Sequence, residues 1–372
     1  MIYLDHNATT PIDERVLEAM LPFLKTYYGN PSSLYRHGRL VRSALDSARE
    51  QVAALVGVQS GQVIFTSGGT EANNLALAVL SPRAKFSISA IEHPSITEPA
   101  DYWVRQGCER QIIRVNQHGL ISQEAITDSI DFNPELVSIM LANNETGAIQ
   151  DIATYSQQLK DHGILVHTDA VQALGKIPVE YDQLGVSMMS LSSHKIYGPK
   201  GCGALIYSKG VNLKPIIWGG DQEQAFRAGT ENVPAIIGFG KAAELAAREL
   251  TQRADHLYKL RMVLEQGLST ISGVKIFATQ AERLSNTVQF GVDGMDGEML
   301  LMKLDQKGIA VSSGSACASG GGKPSPVLAA MGVPEELAKS AIRVSLGNVN
   351  TEAEISQFIN VLATLVTPDK RT

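Results

Sequence analysis

"QVIFTSGGTEANNLALAVL", residues 62–80, reads as a strand, a glycine-rich turn and a helix in immediate succession. The same alternation recurs on both sides of it. Upstream, "RVLEAMLPFLKTYYG" predicts an amphipathic helix ending near Gly29, and "GRLVRSALDSAREQVAALVGV" a second with apolar residues three and four apart. Downstream, "KFSISAIEHPSI" and "LVSIMLANNETGAI" read as strands with exit loops. "YSQQLKDHG" is helical and leads into "ILVHTDAVQALG", a strand with an acidic end, and "MMSLSSHKIYGPKGCGALIYS" is strand, loop and strand. Short β-rich runs alternating with helices argue for an α/β fold with a largely parallel sheet covered on both faces.

Near residue 234 the texture changes. "AIIGFGKAAELAARELTQRADHLYKLRMVLEQGL" is mostly helix former and long enough to bridge two domains. Beyond it "VKIFA", "NTVQFGV", "EMLLMKLDQKG", "IAVSSG", "SAIRVSLG" and a final helix from Thr351 make a smaller α+β unit. A chain of 372 residues suffices for one large or two medium domains, and 44% hydrophobic residues suffice for a core.

A net charge of −6 exerts no long-range pull on nucleic acid or an anionic membrane surface. No apolar run approaches the ~20 residues of a membrane span, and "MIYLDHNATTP" lacks the pattern of a signal peptide. Cys108, Cys202 and Cys317 are too few and too scattered for a disulfide framework or a zinc site. The expected compartment is a reducing cytoplasm.

Three features carry chemistry. The glycine-rich turn opening a helix at Gly69 and Thr70 presents backbone N–H groups and a positive dipole end to an anion, or is a plain helix cap. It is neither a Walker A loop nor G-x-G-x-x-G, which disfavours a nucleoside triphosphate or a dinucleotide. Lys195 follows a strand beside Ser192, Ser193 and His194; desolvated there it becomes a nucleophile toward carbonyls, and otherwise it is an exposed loop lysine. Asp169 ends a hydrophobic strand with Gln172 just beyond; a buried carboxylate there needs a cation or several donors, or it is a helix N-cap. Together they meet the three needs of pyridoxal phosphate: a turn for the phosphate, a lysine for the aldehyde and an aspartate for the ring nitrogen.

From "YLDHNATTP" through "GNPSS", "TSGGTEANNLA", "EHPSI", "NNETG", "DAVQ", "SSHKIYGPKG", "RAGTEN" and "SSGSAC" to "IRVSLG", the sequence resembles the fold-type I, class V aminotransferase superfamily, and within it the cysteine desulfurases of the NifS/IscS group. The resemblance implies a large domain over 16–245, with a mostly parallel seven-stranded sheet flanked by helices. It also implies a small α+β domain from 1–15 and 246–372 carrying a catalytic loop at 312–325. By the same resemblance Lys195 bonds the cofactor aldehyde, and Gly69, Thr70, Ser192, Ser193 and His194 surround the phosphate. Asp169 pairs with the ring nitrogen, Gln172 and Asn144 reach the phenolic side, and His93 stacks on the ring and moves protons. Thr230 reaches the phosphate of a neighbouring subunit, which implies a homodimer. Arg343 grips the substrate carboxylate as a bidentate fork, and Asn7 lines the substrate pocket. The sequence departs from the group's pattern at Asp221 and Ala225-Phe226, beside Thr230, and at Pro326.

Cys317 sits in "SSGSACASGGG", residues 312–322, with nothing bulky to pack against. The resemblance makes it the nucleophile that takes sulfur from L-cysteine as a persulfide, leaving L-alanine. A Gly/Ser/Ala tether lets it then swing to an acceptor such as an iron–sulfur scaffold or a tRNA-thiolation enzyme. No resident metal is implied, although Cys317 can serve as a transient iron–sulfur ligand. A selenocysteine lyase or cyst(e)ine C–S lyase on the same scaffold is the alternative. Cys108, in a helix-to-strand turn, and Cys202, in a tight glycine turn, read as inert thiols.

Overall fold

The computed structural model describes residues 1–313 and 324–366. Its central feature is a seven-stranded sheet in the order Val63–Thr66, Gly203–Tyr207, Met188–Ser192, Leu165–Asp169, Leu136–Ser138, Lys85–Ser89 and Glu109–Ile113. All neighbours pair in parallel except those of Gly203–Tyr207, which runs antiparallel to both of its own. The expected α/β architecture is therefore present, with one reversed strand. "GPKGCG" reverses it: a short loop joins antiparallel neighbours, whereas a parallel return needs a long crossover.

Alternation along each strand builds a core on each face. Val63, Phe65, Ala204 and Ile206 point into one cluster, closed by helix Arg36–Leu55 and the first half of Val233–Ser269. Ile64, Leu205 and Tyr207 point into the other, closed by helices Gly69–Leu77 and Pro94–Arg105. Strands buried on both faces read as continuous apolar runs, as "GALIY" does.

Helix Val233–Ser269 has 37 residues and spans about 55 Å. Phe239, Ala243 and Ala246 pack in the first cluster, while Leu257, Leu260, Leu264 and Leu268 pack in a separate one. That second cluster lies against an antiparallel sheet ordered Ile342–Ser345, Thr287–Val292, Val274–Ile276, and a two-stranded parallel pair, Ile2–Tyr3 with Ile309–Ala310. Ile2 and Leu4 thus pack in this second cluster, far in sequence from its other members.

The first helix, Glu14–Lys25, ends before Gly29, earlier than expected. The N–H groups of Thr26 and Tyr27 both reach the Pro22 carbonyl, at 2.8 and 2.9 Å, which closes its last turn. The last helix, Glu352–Val366, starts where expected, because Thr351 and Glu354 cap each other. Among the described residues no helix is long and apolar enough to cross a membrane.

Candidate functional site

A cavity of about 330 Å³ opens at the carboxyl ends of the parallel strands. Five strand exits supply its walls. Val63–Thr66 leads to Gly69 and Thr70, Lys85–Ser89 to Glu92 and His93, and Leu136–Ser138 to Asn144 and Glu145. Asp169 is the last residue of its strand, and Met188–Ser192 runs into the single turn Ser193–Lys195. Asn7, four residues past strand Ile2–Tyr3, and Arg343, in strand Ile342–Ser345, complete the lining.

Lys195 reaches back to the N-terminal segment, its Nζ donating to the carbonyls of Asn7 at 2.6 Å and Ala8 at 2.8 Å. Asn7 is itself held: its N–H meets Ser345 Oγ at 2.9 Å, and its Nδ2 donates to Thr287 Oγ1 at 2.9 Å and the Asn144 carbonyl at 3.1 Å. Three remote segments thus set where the lysine amine rests.

Asp169 is buried and, among the described residues, forms no ion pair with a cationic side chain. Its Oδ1 accepts from the Val171 N–H at 2.9 Å and its Oδ2 from Asn73 Nδ2 at 2.8 Å. Two donors keep a buried carboxylate tolerable, and a protonated ring nitrogen in the cavity would add the missing charge.

At the other pole, helix Gly69–Leu77 begins at the cavity wall. A side chain at Gly69 would press against Val171 Cγ2 at 2.9 Å, so the glycine is a packing requirement. Free N–H groups at this helix start, with Thr70, Ser192 and His194 around them, suit an anion. The Ser192 Oγ is buried and has no hydrogen-bond partner among the described residues, as are Asn73 Oδ1 and Glu92 Oε2 elsewhere on the wall. Unmet polar atoms, a helix start, a carboxylate and a lysine around one cavity match pyridoxal phosphate group for group. His194 is pushed down to about 4, by burial first and then by Lys195 and Lys200.

His93 is the N-cap of helix Pro94–Arg105. Its Nδ1 accepts from the Ser95 N–H at 3.1 Å and lies 2.8 Å from Ser95 Oγ, which places the ring proton on Nε2. Burial lowers its pKa despite the attraction of Asp169, and Lys195 and Arg343 lower it further. The ring is therefore neutral. Arg343 Nη2 donates to Asp5 Oδ1 at 2.6 Å and its Nη1 to the Asn144 carbonyl at 3.1 Å.

Eleven of the residues expected from the sequence line this cavity: Asn7, Gly69, Thr70, His93, Asn144, Asp169, Gln172, Ser192, His194, Lys195 and Arg343. Ser193 does not. It is fully buried behind the turn, where a side chain at Gly198 would fall 2.0 Å from its hydroxyl oxygen. Its neighbours in "SSHK" face the cavity because the tight turn points successive side chains in different directions.

Thr230 is exposed and lines a separate 160 Å³ cavity with Arg227 and Cys202. Nearby Glu223, Gln224 and Ala225 all take left-handed φ of 45°, 60° and 66°, at about 1 kcal/mol or more each. Arg49 Nη2 holds Glu223 Oε1 at 2.5 Å, and the Phe65 N–H meets its Oε2 at 2.8 Å. The Asp221 to Phe226 stretch is thus a tethered, strained segment. Cys317 lies outside the described residues. Cys202 and Cys108 are buried, and burial pushes the Cys202 thiol far up.

Asn73, Glu92, Glu145 and Lys176 were not singled out from the sequence. Asn73 had a signal, lying four residues after Gly69 on one helix face. Glu92 sits beside His93, and burial raises its carboxyl to about 8 against hydrogen bonds from Ser89 and Met140. Glu145 accepts from Ser325 Oγ at 2.5 Å and Gln289 Nε2 at 3.1 Å, and burial raises its pKa too. Local sequence carries no sign of that burial.

The family model for Aminotransferase class-V matches residues 2–358. A cysteine desulfurase IscS from Dictyoglomus turgidum is 43% identical, covering 98% of this chain and 94% of its own. A solved NifS-like protein from Rickettsia africae superposes with a TM-score of 0.91 at 38% identity, covering 98% of this chain and 99% of that one. A structure described as SspA in complex with cysteine superposes at 0.83 with 29% identity, over 94% and 100% of the two chains.

Proposed function

This chain belongs to the aminotransferase class-V family, and from that premise we propose how its cavity is used. The protein is a pyridoxal-phosphate-dependent cysteine desulfurase, converting L-cysteine to L-alanine. The observation that carries the reading is the convergence of Lys195, Asp169 and the Gly69 helix start on one cavity. Bound there, pyridoxal phosphate supplies a covalent attachment for amines and an electron sink for the carbon that loses a proton.

The chain's own groups divide the remaining work. Lys195 would anchor the cofactor through its amine and, as a free amine, would be the base for the substrate α-proton. Asp169 keeps the ring nitrogen protonated. Gly69, Thr70, Ser192 and His194 hold the phosphate, and Gln172 and Asn144 serve the phenolic side. Neutral His93 packs on the ring and exchanges protons through Nε2. Arg343, pre-oriented by Asp5, receives the substrate carboxylate. The Cys317 thiolate attacks the substrate sulfur: an S–S bond forms, the Cβ–S bond breaks and its electron pair stays on Cβ, which takes up a proton, while the α-carbon regains the proton it gave to Lys195, leaving alanine. The persulfide then passes to acceptors in iron–sulfur assembly or other thiolation. We place this in the cytoplasm, where the thiol stays reduced.

We further assign residues 16–245 to the cofactor unit, and 1–15 with 246–372 to the unit that brings Arg343 and the Cys317 segment. The separate hydrophobic clusters at the two ends of helix Val233–Ser269 support this division. A homodimer is proposed in which the exposed Thr230 serves the partner's phosphate site.

The test is incubation with L-cysteine, followed by alanine assay and mass spectrometry. One extra sulfur on Cys317 is expected; extra sulfur elsewhere overturns the assignment. Cys317→Ala separates the C–S lyase reading, which predicts unchanged turnover.

A further inference from the structure

Lys176 lies four residues beyond Gln172, is only 8% exposed, and has no part in the steps above. Its Nζ donates to Gln172 Oε1 at 2.9 Å and to Asn7 Oδ1 at 3.0 Å. A carboxamide has one acceptor end and one donor end, so committing the oxygen decides where the NH₂ goes. Gln172 turns its Nε2 to the Asn7 main-chain carbonyl at 3.0 Å, the same oxygen that accepts Lys195 Nζ at 2.6 Å. The donor end of Gln172 therefore sits beside the lysine amine. Turned over, it would set its oxygen against the Asn7 carbonyl and its NH₂ against the Lys176 amine, losing both contacts. Asn7 is locked in the same way: Oδ1 also accepts from Asn286 Nδ2 at 3.0 Å, and Nδ2 donates to Thr287 and Asn144.

We infer that Lys176 is a positioning residue: it orients the Asn7 and Gln172 carboxamides and thereby makes the end of Gln172 beside Lys195 a hydrogen-bond donor. The inference rests on the cofactor reading of the cavity, where that donor serves the cofactor oxygen next to the lysine attachment. Burial drives the Lys176 amine well below the ordinary lysine range, and Lys195 and Arg343 drive it the same way. It gives its protons to two carbonyl oxygens while remaining an uncomfortable place for charge, which suits a role in orientation.

The test uses protein loaded with pyridoxal phosphate and titrates the visible absorption of the Lys195–cofactor link against pH, beside a thermal melt. The other charged or titratable groups around that link, Asp169, Glu92, His93, Glu145, His194 and Arg343, are unchanged in the variants. In Lys176→Met the Gln172 donor is no longer enforced, and losing that donor favours the protonated link, so the midpoint rises by about one pH unit. A purely structural lysine would lower the melting temperature and leave the midpoint where it was; an unchanged midpoint overturns the inference. If Lys176→Met does not fold, Lys176→Gln carries the same two outcomes, since its amide can donate to only one of the two oxygens well. Failure of both variants to fold also overturns it, in favour of a structural role. Parent protein that takes up no cofactor at all would instead defeat the underlying reading.

Discussion

Ser312 and Arg343 are paired through their backbones, Ser312 N–H to Arg343 O at 3.2 Å and Arg343 N–H to Ser312 O at 2.7 Å. Arg343 is the proposed carboxylate grip, and Ser312 opens the stretch that carries Cys317. At the far side of that stretch Ser325 caps helix Pro326–Ala330, Pro326 takes its first position, and Ser325 Oγ is bonded to Glu145, next to Asn144. Both stems of the Cys317 segment are therefore fastened to residues of the cavity wall.

Arg343→Lys keeps the charge and loses the fork. Steady-state kinetics should show kcat/KM for cysteine falling about 100-fold, mostly through KM. A fall in kcat alone would place Arg343 outside ground-state binding.

Lys195→Ala should bind pyridoxal phosphate without a covalent bond. After borohydride and digestion, the parent should carry the reduced cofactor on Lys195, and the variant should carry none. Cofactor mass on another lysine would refute the assignment.

Glu92→Gln separates pH effects. In the folded protein the Glu92 carboxyl stays protonated up to about 8, whereas in the unfolded chain it ionises near 4.5. Between those values the folded state binds the extra proton, so the parent loses stability as pH rises through that window. Gln has no such proton. Urea melts should therefore show Glu92→Gln gaining on the parent from pH 5 to pH 8, by on the order of 1–3 kcal/mol. A difference that does not change with pH would sink the argument.

Ser325→Ala removes both a helix cap and a bond to buried Glu145. A loss of about 1–2 kcal/mol in denaturant melts is expected, with the absorption of the loaded cofactor unaltered.

Thr230 offers a test of the dimer. Thr230→Ala should retain cofactor about tenfold less tightly in gel-filtration assays. Mixing it with Lys195→Ala should restore one intact site per hybrid, because the Lys195→Ala chain lends its Thr230 to the site of the chain that keeps Lys195. No recovery on mixing would mean that Thr230 does not act across subunits.

Much of this was legible locally. The turn at Gly68–Gly69, the acidic end of "VHTD" and the lysine after "SLSS" are features of a few residues each, and strand–helix alternation brings them to one edge of the sheet. Ser193 was misplaced because "SSHK" does not tell which hydroxyl a tight turn faces inward. Lys176 went unnoticed because "ALGKIPV" does not reveal that its amine lies buried between two carboxamides.

By itself the sequence determined the α/β alternation, the cofactor class and the chemical type of each functional group, since backbone propensity, glycine turns and side-chain chemistry are local properties. Tertiary structure alone decided the contacts and the protonation states. Asn7 and Lys195 are 188 residues apart, and Asp5 and Arg343 are 338 apart, yet each pair is in hydrogen-bond contact. Burial and neighbouring charge, which make Glu92 an acid and keep His93 neutral, arise only when distant segments close over the same cavity.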